Sequence, residues 1–250
     1  MATILQCAHL SAAAYADVNK RANILAKESL ALGGIALDKE IKSRNGYQGF
    51  IASSHDTVYI AIEGTASTDD WVADAKALKT YNYFFGDKRL VGIHMGFHEL
   101  FLDVWPDIKE FIDAQTTNNS VVVTGHSLGG ALATLVAAAL STQTPHAIEV
   151  VTFGSPRVGN HAFMKKFNAS VHLSTRVVRD LDIVPRAPKF DYWHVDTLVH
   201  LTDDGKRMSF WKSWLKQAWY IYKNIHFFLS KEALDDHNMQ GYVKAVELMK

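Results

Sequence analysis

The 250-residue chain has little of several features that mark particular protein classes. Its single cysteine, Cys7, excludes an internal disulfide, and we expect a small buried residue there. The chain has 26 lysine and arginine residues and 26 aspartate and glutamate residues, so its formal net charge is zero. The net charge therefore does not favour nucleic acid or another charged partner. No apolar run approaches the roughly 20 residues of a membrane span. Because no His/Cys cluster has metal-ligand spacing, we expect neither a metal nor another cofactor.

The first 17 residues lack both a basic leader and an apolar core of the kind found in export signals. Secreted and cytoplasmic locations therefore both stay open. A chain of this length with 48% hydrophobic residues can bury a full core, and we expect one domain over residues 1–250. Oligomeric state is not indicated.

Strand and helix signals alternate along the chain. Helices are predicted over residues 6–30 (a pair), 97–115, 131–140 and 241–249, and strands over 47–53, 58–62, 121–124, 150–153, 175–179 and 194–201. We expect the first two strands, joined through Ser54, His55 and Asp56, to form an antiparallel hairpin on one edge. Such alternation predicts an α/β fold whose mostly parallel sheet carries helices on both faces.

The most informative segment is the run from Gly125 to Gly129, which fits the pattern G-x-S-x-G. A β-branched run precedes it and a stretch rich in alanine and leucine follows it, which is the strand–turn–helix context that the pattern requires. The glycines permit a turn too tight for larger side chains, and the following helix directs its amide groups and positive dipole toward the reacting oxygen. These features predict that Ser127 is a nucleophile.

A serine needs a base and an orienting acid, which hydrolases of this kind supply in the order Ser, Asp, His. Asp180 and Asp182 both follow the predicted strand 175–179, at the sheet edge where α/β proteins place their sites. The pattern alone does not separate these two aspartates. One of them is expected to be an ordinary solvated loop carboxylate.

Four histidines follow Asp182 and compete for the role of base: His194, His200, His226 and His237. His200 lies inside a predicted strand, His226 lies in an aromatic helix-like stretch, and His194 begins its strand as a plausible supporting residue. His237 lies in a polar loop before the last helix, and loops on rigid scaffolds often carry general bases. The residues alone favour His237 without deciding for it.

Several further segments occur in a characteristic order. They are 10–15 (LSAAAY), 64–65 (GT), 70–71 (DW) with Asp74, 94–97 (HMGF), 125–130 (GHSLGG), 152–160 (TFGSPRVGN), 182–186 (DIVPR) and 236–237 (DH). Along most of its length the chain resembles the class 3 lipases, the fungal-lipase-like branch of the α/β-hydrolases. A collinear series of separate motifs is far more specific than the G-x-S-x-G pattern alone.

The resemblance implies the α/β-hydrolase fold, with Ser127 as nucleophile, Asp182 as orienting acid and His237 as base. It selects Asp182 over Asp180, because the family's acid directly precedes Ile-Val-Pro. It also implies an oxyanion hole formed by the backbone N–H of Leu128 and by the N–H and hydroxyl of Thr65. Such donors stabilise the alkoxide of the tetrahedral intermediate.

One residue departs from the family pattern. Glu63 occupies the position before Gly64 and Thr65 where the family usually carries arginine. The change removes no catalytic group. It puts in doubt any salt bridge that the arginine makes, and it suggests a differently charged wall near the pocket.

Two aromatic segments bear on the substrate. Residues 67–90 lie where relatives carry a lid, although an ordinary surface helix would also fit them. In 208–229, aromatic and lysine residues recur at helical spacing, which suits either a helix at a lipid surface or an amphipathic helix packed on the protein.

The expected function is hydrolysis of a carboxylic ester by a triacylglycerol lipase, with a lipid ester as partner, at an oil–water or membrane interface if an aromatic segment provides the contact. Phospholipase and short-chain esterase are alternatives. Acyl transfer to another alcohol and non-catalytic lipid binding also stay open, since the fold does not settle the function.

Overall fold

The structure is a computed structural model that describes residues 2–27, 34–44, 46–65, 78–81, 85, 91–115, 120–195, 197–209 and 235–249. Of the two aromatic segments, residues 67–77, 82–84, 86–90 and 210–229 lie outside the described residues, as does His226. The predictions for these residues therefore stay predictions.

Six α-helices and nine β-strands are present in the described residues. The helices are α1 (Ile4–Ala13), α2 (Val18–Lys27), α3 (Met95–Asp113), α4 (Leu128–Gln143), α5 (His161–Ser170) and α6 (Met239–Glu247), with a 3-10 turn at Val184–Arg186. The strands are β1 (Ala36–Ser43), β2 (Gly46–Ser54), β3 (Thr57–Ile62), β4 (Lys79–Tyr81), β5 (Gly92–His94), β6 (Ser120–His126), β7 (Ile148–Phe153), β8 (Leu173–Arg179) and β9 (Thr197–Leu201).

Seven of these strands form one sheet in the order β1-β2-β3-β6-β7-β8-β9. The first two pairings are antiparallel and the four from β3 to β9 are parallel. Because the parallel strands all end at one edge, the loops that follow them meet there. The predicted mostly parallel sheet is confirmed, and its carboxyl edge is where a site is expected.

Helices cover both faces of this sheet, as predicted. Alternate residues of a strand point to opposite faces, so Ile60 packs with α3, α4 and α5, while its neighbour Ala61 packs with α1 and α6. Helix α4 is buried on every side from Leu128 to Leu140, which explains its run of alanine and leucine without an amphipathic pattern. None of the described helices is long and apolar enough to cross a membrane.

The structure corrects the prediction at four places, one of which is helix α5 (His161–Ser170), which lies in no predicted segment. The hairpin of β2 and β3 is not at the edge of the sheet, because β1 pairs with β2 on its outer side. Strand β1 was not predicted, because it carries four charged residues and Ile41 is its one buried residue, so its sequence lacks the pattern of a strand. Strands β4 and β5 were missed because each has three residues, which are too few to show the alternation of apolar and polar residues that indicates a strand. His194 does not begin a strand, because β9 begins at Thr197.

Candidate active site

Ser127 lies between the end of β6 and the first residue of α4. Its backbone has φ 58° and ψ −128°, a conformation that non-glycine residues seldom adopt and that the surrounding structure must enforce. Close packing enforces it: a Cβ added to Gly129 would lie 2.2 Å from the carbonyl oxygen of Ile62 on the neighbouring strand. The side chain is fully buried, and its Oγ has no hydrogen-bond partner among the described residues.

Asp182 and His237 form a direct pair. The Nδ1 of His237 lies 3.0 Å and 2.9 Å from the two carboxylate oxygens of Asp182. The backbone N–H of Val184 donates to Oδ1 of Asp182 at 2.9 Å, which fixes the carboxylate just after β8. On the other side Asn238 caps α6 by accepting from the N–H groups of Gln240 and Gly241, so His237 is held at the entry to a helix.

The remaining ring nitrogen of His237, Nε2, is buried and has no partner among the described residues, as is the case for Ser127 Oγ. Two contacts bring these residues together. The ring of His126, the residue before Ser127, lies 4.5 Å from the ring of His237, centroid to centroid. The N–H of Ser127 donates to the backbone carbonyl of Phe153. Gly154, the residue after Phe153, packs against both Asp182 and His237. The structure therefore gathers all three residues expected from the sequence at one edge of the sheet.

The competing residues have other partners. The backbone carbonyl of Asp180 accepts from Nε2 of His200 at 2.8 Å, which ties both residues to the β8–β9 junction. His194 donates from Nε2 to the carbonyl of Pro185 at 2.6 Å, and burial holds its pKa well below the usual range. Among the described candidates, Asp182 and His237 contact each other as acid and base would.

The two predicted oxyanion donors lie on opposite sides of Ser127 in the chain. Leu128 is the first residue of α4, and the first N–H groups of a helix have no partner within it. Thr65 follows β3, whose last residues pair with the last residues of β6. Thr65 also lines a cavity of about 640 Å³ together with Tyr15, His126 and His237, so it faces the same space as the predicted base.

A buried hydrogen-bonded chain supports His237 from behind. Nε2 of His126 donates to the backbone carbonyl of His237 at 2.7 Å, which leaves Nδ1 as the acceptor for the hydroxyl of Tyr15, 2.8 Å away. Burial, and then the neighbouring His237, hold the pKa of His126 well below its usual range. His126 is therefore a neutral residue that fixes the backbone of His237.

Tyr242 supports Asp182 in the same way. Its hydroxyl donates to Oδ2 at 2.5 Å and accepts from the N–H of Arg179 at 3.0 Å. Burial and the charge of Asp182 raise the pKa of Tyr242 well above its usual range, which keeps the hydroxyl protonated as a donor. Sequence reasoning missed Tyr242; a tyrosine in the helix directly after the loop of His237 was the available signal.

Glu63, the departure from the family pattern, forms an ion pair. Its carboxylate lies 3.2 Å from Nη2 of the buried Arg21, whose other terminal nitrogen binds Glu40. Glu63 is not among the described residues that line the cavity. Its charge still reaches the cavity, because burial and then the charge of Glu63 raise the pKa of Tyr15, which lines the cavity. The structure thus shows a charge cluster beside the strand that leads to Thr65.

Comparison with known proteins matches residues 59–192 to the model of the family described as lipase (class 3). The chain belongs to the class 3 lipase family. The matched region begins within β3 and includes β6, β7 and β8, with Ser127 and Asp182, but it ends before His237. Among the described residues no group of three or more His, Cys, Asp or Glu could hold a metal ion.

Individual relatives agree with this family. Over 172 residues, or 64% of the chain, it is 32% identical to secreted mono- and diacylglycerol lipase 1 of Fusarium solani. It is 27% identical over 191 residues, or 68% of its length, to the chloroplastic phospholipase A(1) DAD1 of Arabidopsis thaliana. The chain spans about half the length of these curated relatives, 49% of the first and 41% of the second.

A solved structure supports the fold. The crystal structure of a lipase from Rhizopus microsporus var. chinensis superposes with a TM-score of 0.65 at 28% identity, covering 80% of this class 3 lipase chain and 72% of the other. The α/β-hydrolase fold implied by the motifs is thereby confirmed.

Proposed function

We propose that this class 3 lipase family member is a serine hydrolase that cleaves the carboxylic ester bonds of acylglycerols. The observation that carries the proposal is the pair formed by Asp182 and His237 beside Ser127. Among the described residues, Nε2 of His237 and Oγ of Ser127 have no hydrogen-bond partner, and the proposed proton transfer runs between these two atoms. The lipase names of the relatives support an acylglycerol as the ester.

In the first half of the proposed reaction, His237 accepts the proton of Ser127 while Oγ attacks the ester carbonyl carbon. The carbonyl oxygen becomes an alkoxide, which the N–H groups of Thr65 and Leu128 stabilise. His237 then protonates the departing alcohol, and an acyl-serine is left. Water repeats the sequence on this acyl-enzyme and releases the fatty acid.

Asp182 has a fixed role in this cycle. Its carboxylate holds His237 with Nδ1 protonated, so Nε2 is unprotonated and able to act as the base, and it stabilises the imidazolium that forms after proton transfer. Tyr242, Val184 and the helix cap at Asn238 reduce the freedom of this pair. Because these groups are already oriented for reaction, little further entropy is lost in orienting them when the substrate binds.

Phospholipase A1 activity is the second candidate, and a phospholipase relative favours it. The chemistry at Ser127 is the same in both cases, because each substrate is a fatty-acid ester. The distinction rests on the alcohol that leaves. We also propose a secreted location, since a relative is named as secreted.

The test is hydrolysis of a nitrophenyl ester series from acetyl to palmitoyl, followed by triacylglycerol and phosphatidylcholine emulsions. Wild type is compared with Ser127→Ala, and with Ser174→Ala as the control because Ser174 is another buried serine. We expect activity that peaks at medium or long chains, is abolished in Ser127→Ala and is kept in Ser174→Ala. Residual activity of Ser127→Ala near that of wild type would reject the mechanism.

The base is tested with two buried histidines. We expect His237→Ala to be as damaging as Ser127→Ala, while His200→Ala, which lacks contact with Asp182, keeps most of the activity. His194→Ala distinguishes the remaining competitor. A larger loss in His194→Ala than in His237→Ala would move the base to His194.

A further inference from the structure

Three successive backbone carbonyl groups before α6 each accept a hydrogen bond from a side chain of another segment. Nη1 of Arg179 donates to the carbonyl of Asp235 at 3.3 Å and to that of Asp236 at 3.1 Å. Nε2 of His126 donates to the carbonyl of His237 at 2.7 Å. The backbone that carries the predicted base is therefore tied to β8, which leads to the predicted acid, and to β6, which leads to the predicted nucleophile.

Arg179 is the last residue of β8, and the pleat of the sheet sets the direction of its side chain. Val177, two residues earlier, packs on the face of the sheet that α1 and α6 cover. Residues two apart in a strand point to the same face, so Arg179 also points toward α6. Its side chain is 13% exposed and lines the same cavity as His237.

Gly241, in the first turn of α6, makes room for the guanidinium group of Arg179. A Cβ added to this glycine would lie 2.6 Å from Cζ of Arg179, and it would also meet Nη1. Glycine is among the weakest helix formers, so its presence in a helix of nine residues needs a reason. The close approach of the guanidinium group supplies that reason.

A cation in this place does not stabilise α6 by itself. The first turn of a helix carries the positive end of the helix dipole, which a guanidinium group opposes. Two carboxylates compensate its charge, because Nη2 of Arg179 lies 2.7 Å from Asp203 and 3.7 Å from Asp236. Local arrangements that disfavour the element they contact are expected at functional sites.

We propose that Arg179 is a positioning residue for the proposed hydrolysis, which fixes His237 by holding the two carbonyl groups before it. The guanidinium group is a planar fork, so Nη1 binds the carbonyl groups while Nη2 binds the carboxylates. A lysine would supply the charge from a single nitrogen and would not reproduce the fork. Arg179 acts through the backbone that carries the imidazole ring.

This inference rests on the proposed function, since His237 needs a fixed place only if it takes the proton of Ser127. The alternative is that Arg179 serves the stability of the fold alone. A misplaced base lowers kcat and kcat/KM equally, because the lost interaction belongs to the transition state. A loss of stability alone leaves the kcat of the folded protein unchanged.

The experiment measures kcat and KM for nitrophenyl acetate, with urea unfolding to establish that each variant is folded under the assay conditions. The variants are Arg179→Ala, Arg179→Lys and Gly241→Ala, and Ser127→Ala gives the background rate. Arg176→Ala is the matched control. Arg176 also lies on β8, and its Nε donates at 2.6 Å to a carbonyl in another loop, that of Val195.

We expect Arg179→Ala to lower kcat and kcat/KM about a hundredfold, the usual cost of a misplacement of about 1 Å. Arg179→Lys should lose about as much, since it keeps the charge without the fork. Arg176→Ala should keep the kcat of wild type. A wild-type kcat in Arg179→Lys would overturn the proposal, and so would equal losses in Arg179→Ala and Arg176→Ala.

Gly241→Ala tests the same contact while Arg179 is kept, so the proposal can be judged even if Arg179→Ala does not fold. The new methyl group should displace the guanidinium group and lower kcat about tenfold. Alanine is the better helix former, so a weaker helix would not explain that loss. The double variant with Arg179→Ala should lose no more than Arg179→Ala alone.

Two results with Gly241→Ala would contradict the proposal. One is a kcat equal to that of wild type, and the other is a tenfold loss that persists in the double variant with Arg179→Ala. Wild-type activity no higher than that of Ser127→Ala would instead reject the proposed function. Serine-dependent hydrolysis that is kept in both Arg179→Ala and Gly241→Ala rejects the positioning role alone.

Discussion

The hydroxyl of Tyr242 donates a hydrogen bond of 2.5 Å to Oδ2 of Asp182, the oxygen that also lies 2.9 Å from Nδ1 of His237. Tyr242 is fully buried and belongs to α6, whose cap follows His237 directly. One helix therefore positions both the predicted base and a donor to its acid. The geometry of the pair depends on how α6 docks against β8.

Tyr242→Phe should lower kcat about tenfold, which corresponds to about 1.4 kcal/mol in the barrier, because Asp182 loses a charge-assisted hydrogen bond. The free energy of unfolding should also fall by about 1–3 kcal/mol, since the N–H of Arg179 loses its acceptor. Kinetics on a soluble ester and urea unfolding measure the two effects. Tyr59→Phe, a buried tyrosine on β3, should reduce stability without changing kcat. Equal kcat values for the two variants would contradict a positioning role for Tyr242.

Gly154 offers a steric test of the same pair. A Cβ at this position would lie 2.7 Å from Oδ2 of Asp182 and 3.0 Å from Nδ1 of His237. Gly154→Ala should displace the two side chains and lower kcat about a hundredfold, the usual cost of a misplacement of about 1 Å. The readout is kcat for a soluble ester, with circular dichroism to verify folding.

Gly34→Ala is the matched control for Gly154→Ala. Both glycines have positive φ, 77° for Gly34 and 56° for Gly154, so both variants bear comparable backbone strain. No heavy atom lies within 4 Å of a Cβ added to Gly34. If Gly34→Ala lost as much activity as Gly154→Ala, strain rather than the displaced pair would explain the effect.

The sequence predicted the parts of the fold and site that have local signals. The strand and helix around Ser127 have a distinctive composition, and Ser127, Asp182 and His237 are placed together at the edge where they were expected. Tyr242 and Gly154 were not found, because their roles depend on contacts between segments 60 and 28 residues from Asp182 in sequence. Strand β1 was not found because four of its eight residues are charged and interrupt the alternation of apolar and polar residues that marks a strand.

The buried His126 makes stability depend on pH. Burial lowers its pKa below the ordinary value of 6.5, so below pH 6.5 the unfolded chain binds a proton that the folded protein does not. The contribution of this residue to stability is therefore lost as the pH falls. In His126→Gln this dependence disappears, and the difference in unfolding free energy between wild type and variant should narrow by about 1.4 kcal/mol per pH unit well below pH 6.5. Urea unfolding at pH 7.5, 6.5 and 5.5 measures the difference, and parallel curves would disprove the prediction.

Arg21 lies at the centre of the charge cluster that contains Glu63, the residue found where the family usually carries arginine. It is only 2% exposed, and it binds Glu40, Glu63 and the carbonyl oxygens of Ala14, Ala16 and Gly49. Removing one partner of a buried ion pair leaves the other charge uncompensated, so Arg21→Leu should lower the free energy of unfolding by about 3–5 kcal/mol. The exposed pair of Lys109 and Asp113 supplies a control, and Lys109→Leu should cost less than about 1 kcal/mol.

A second variant tests which partner of Arg21 accounts for the loss of stability in Arg21→Leu. Burial raises the pKa of Glu63 despite the nearby Arg21, so removal of Arg21 favours the protonated form of Glu63 further. The double variant Arg21→Leu with Glu63→Gln removes both charges and should recover part of the stability that Arg21→Leu loses. Because Glu63 leads directly to Thr65, the double variant should also recover part of any lost kcat on a soluble ester. A double variant no more stable than Arg21→Leu would show that the loss arises at Glu40 and the three carbonyl groups instead.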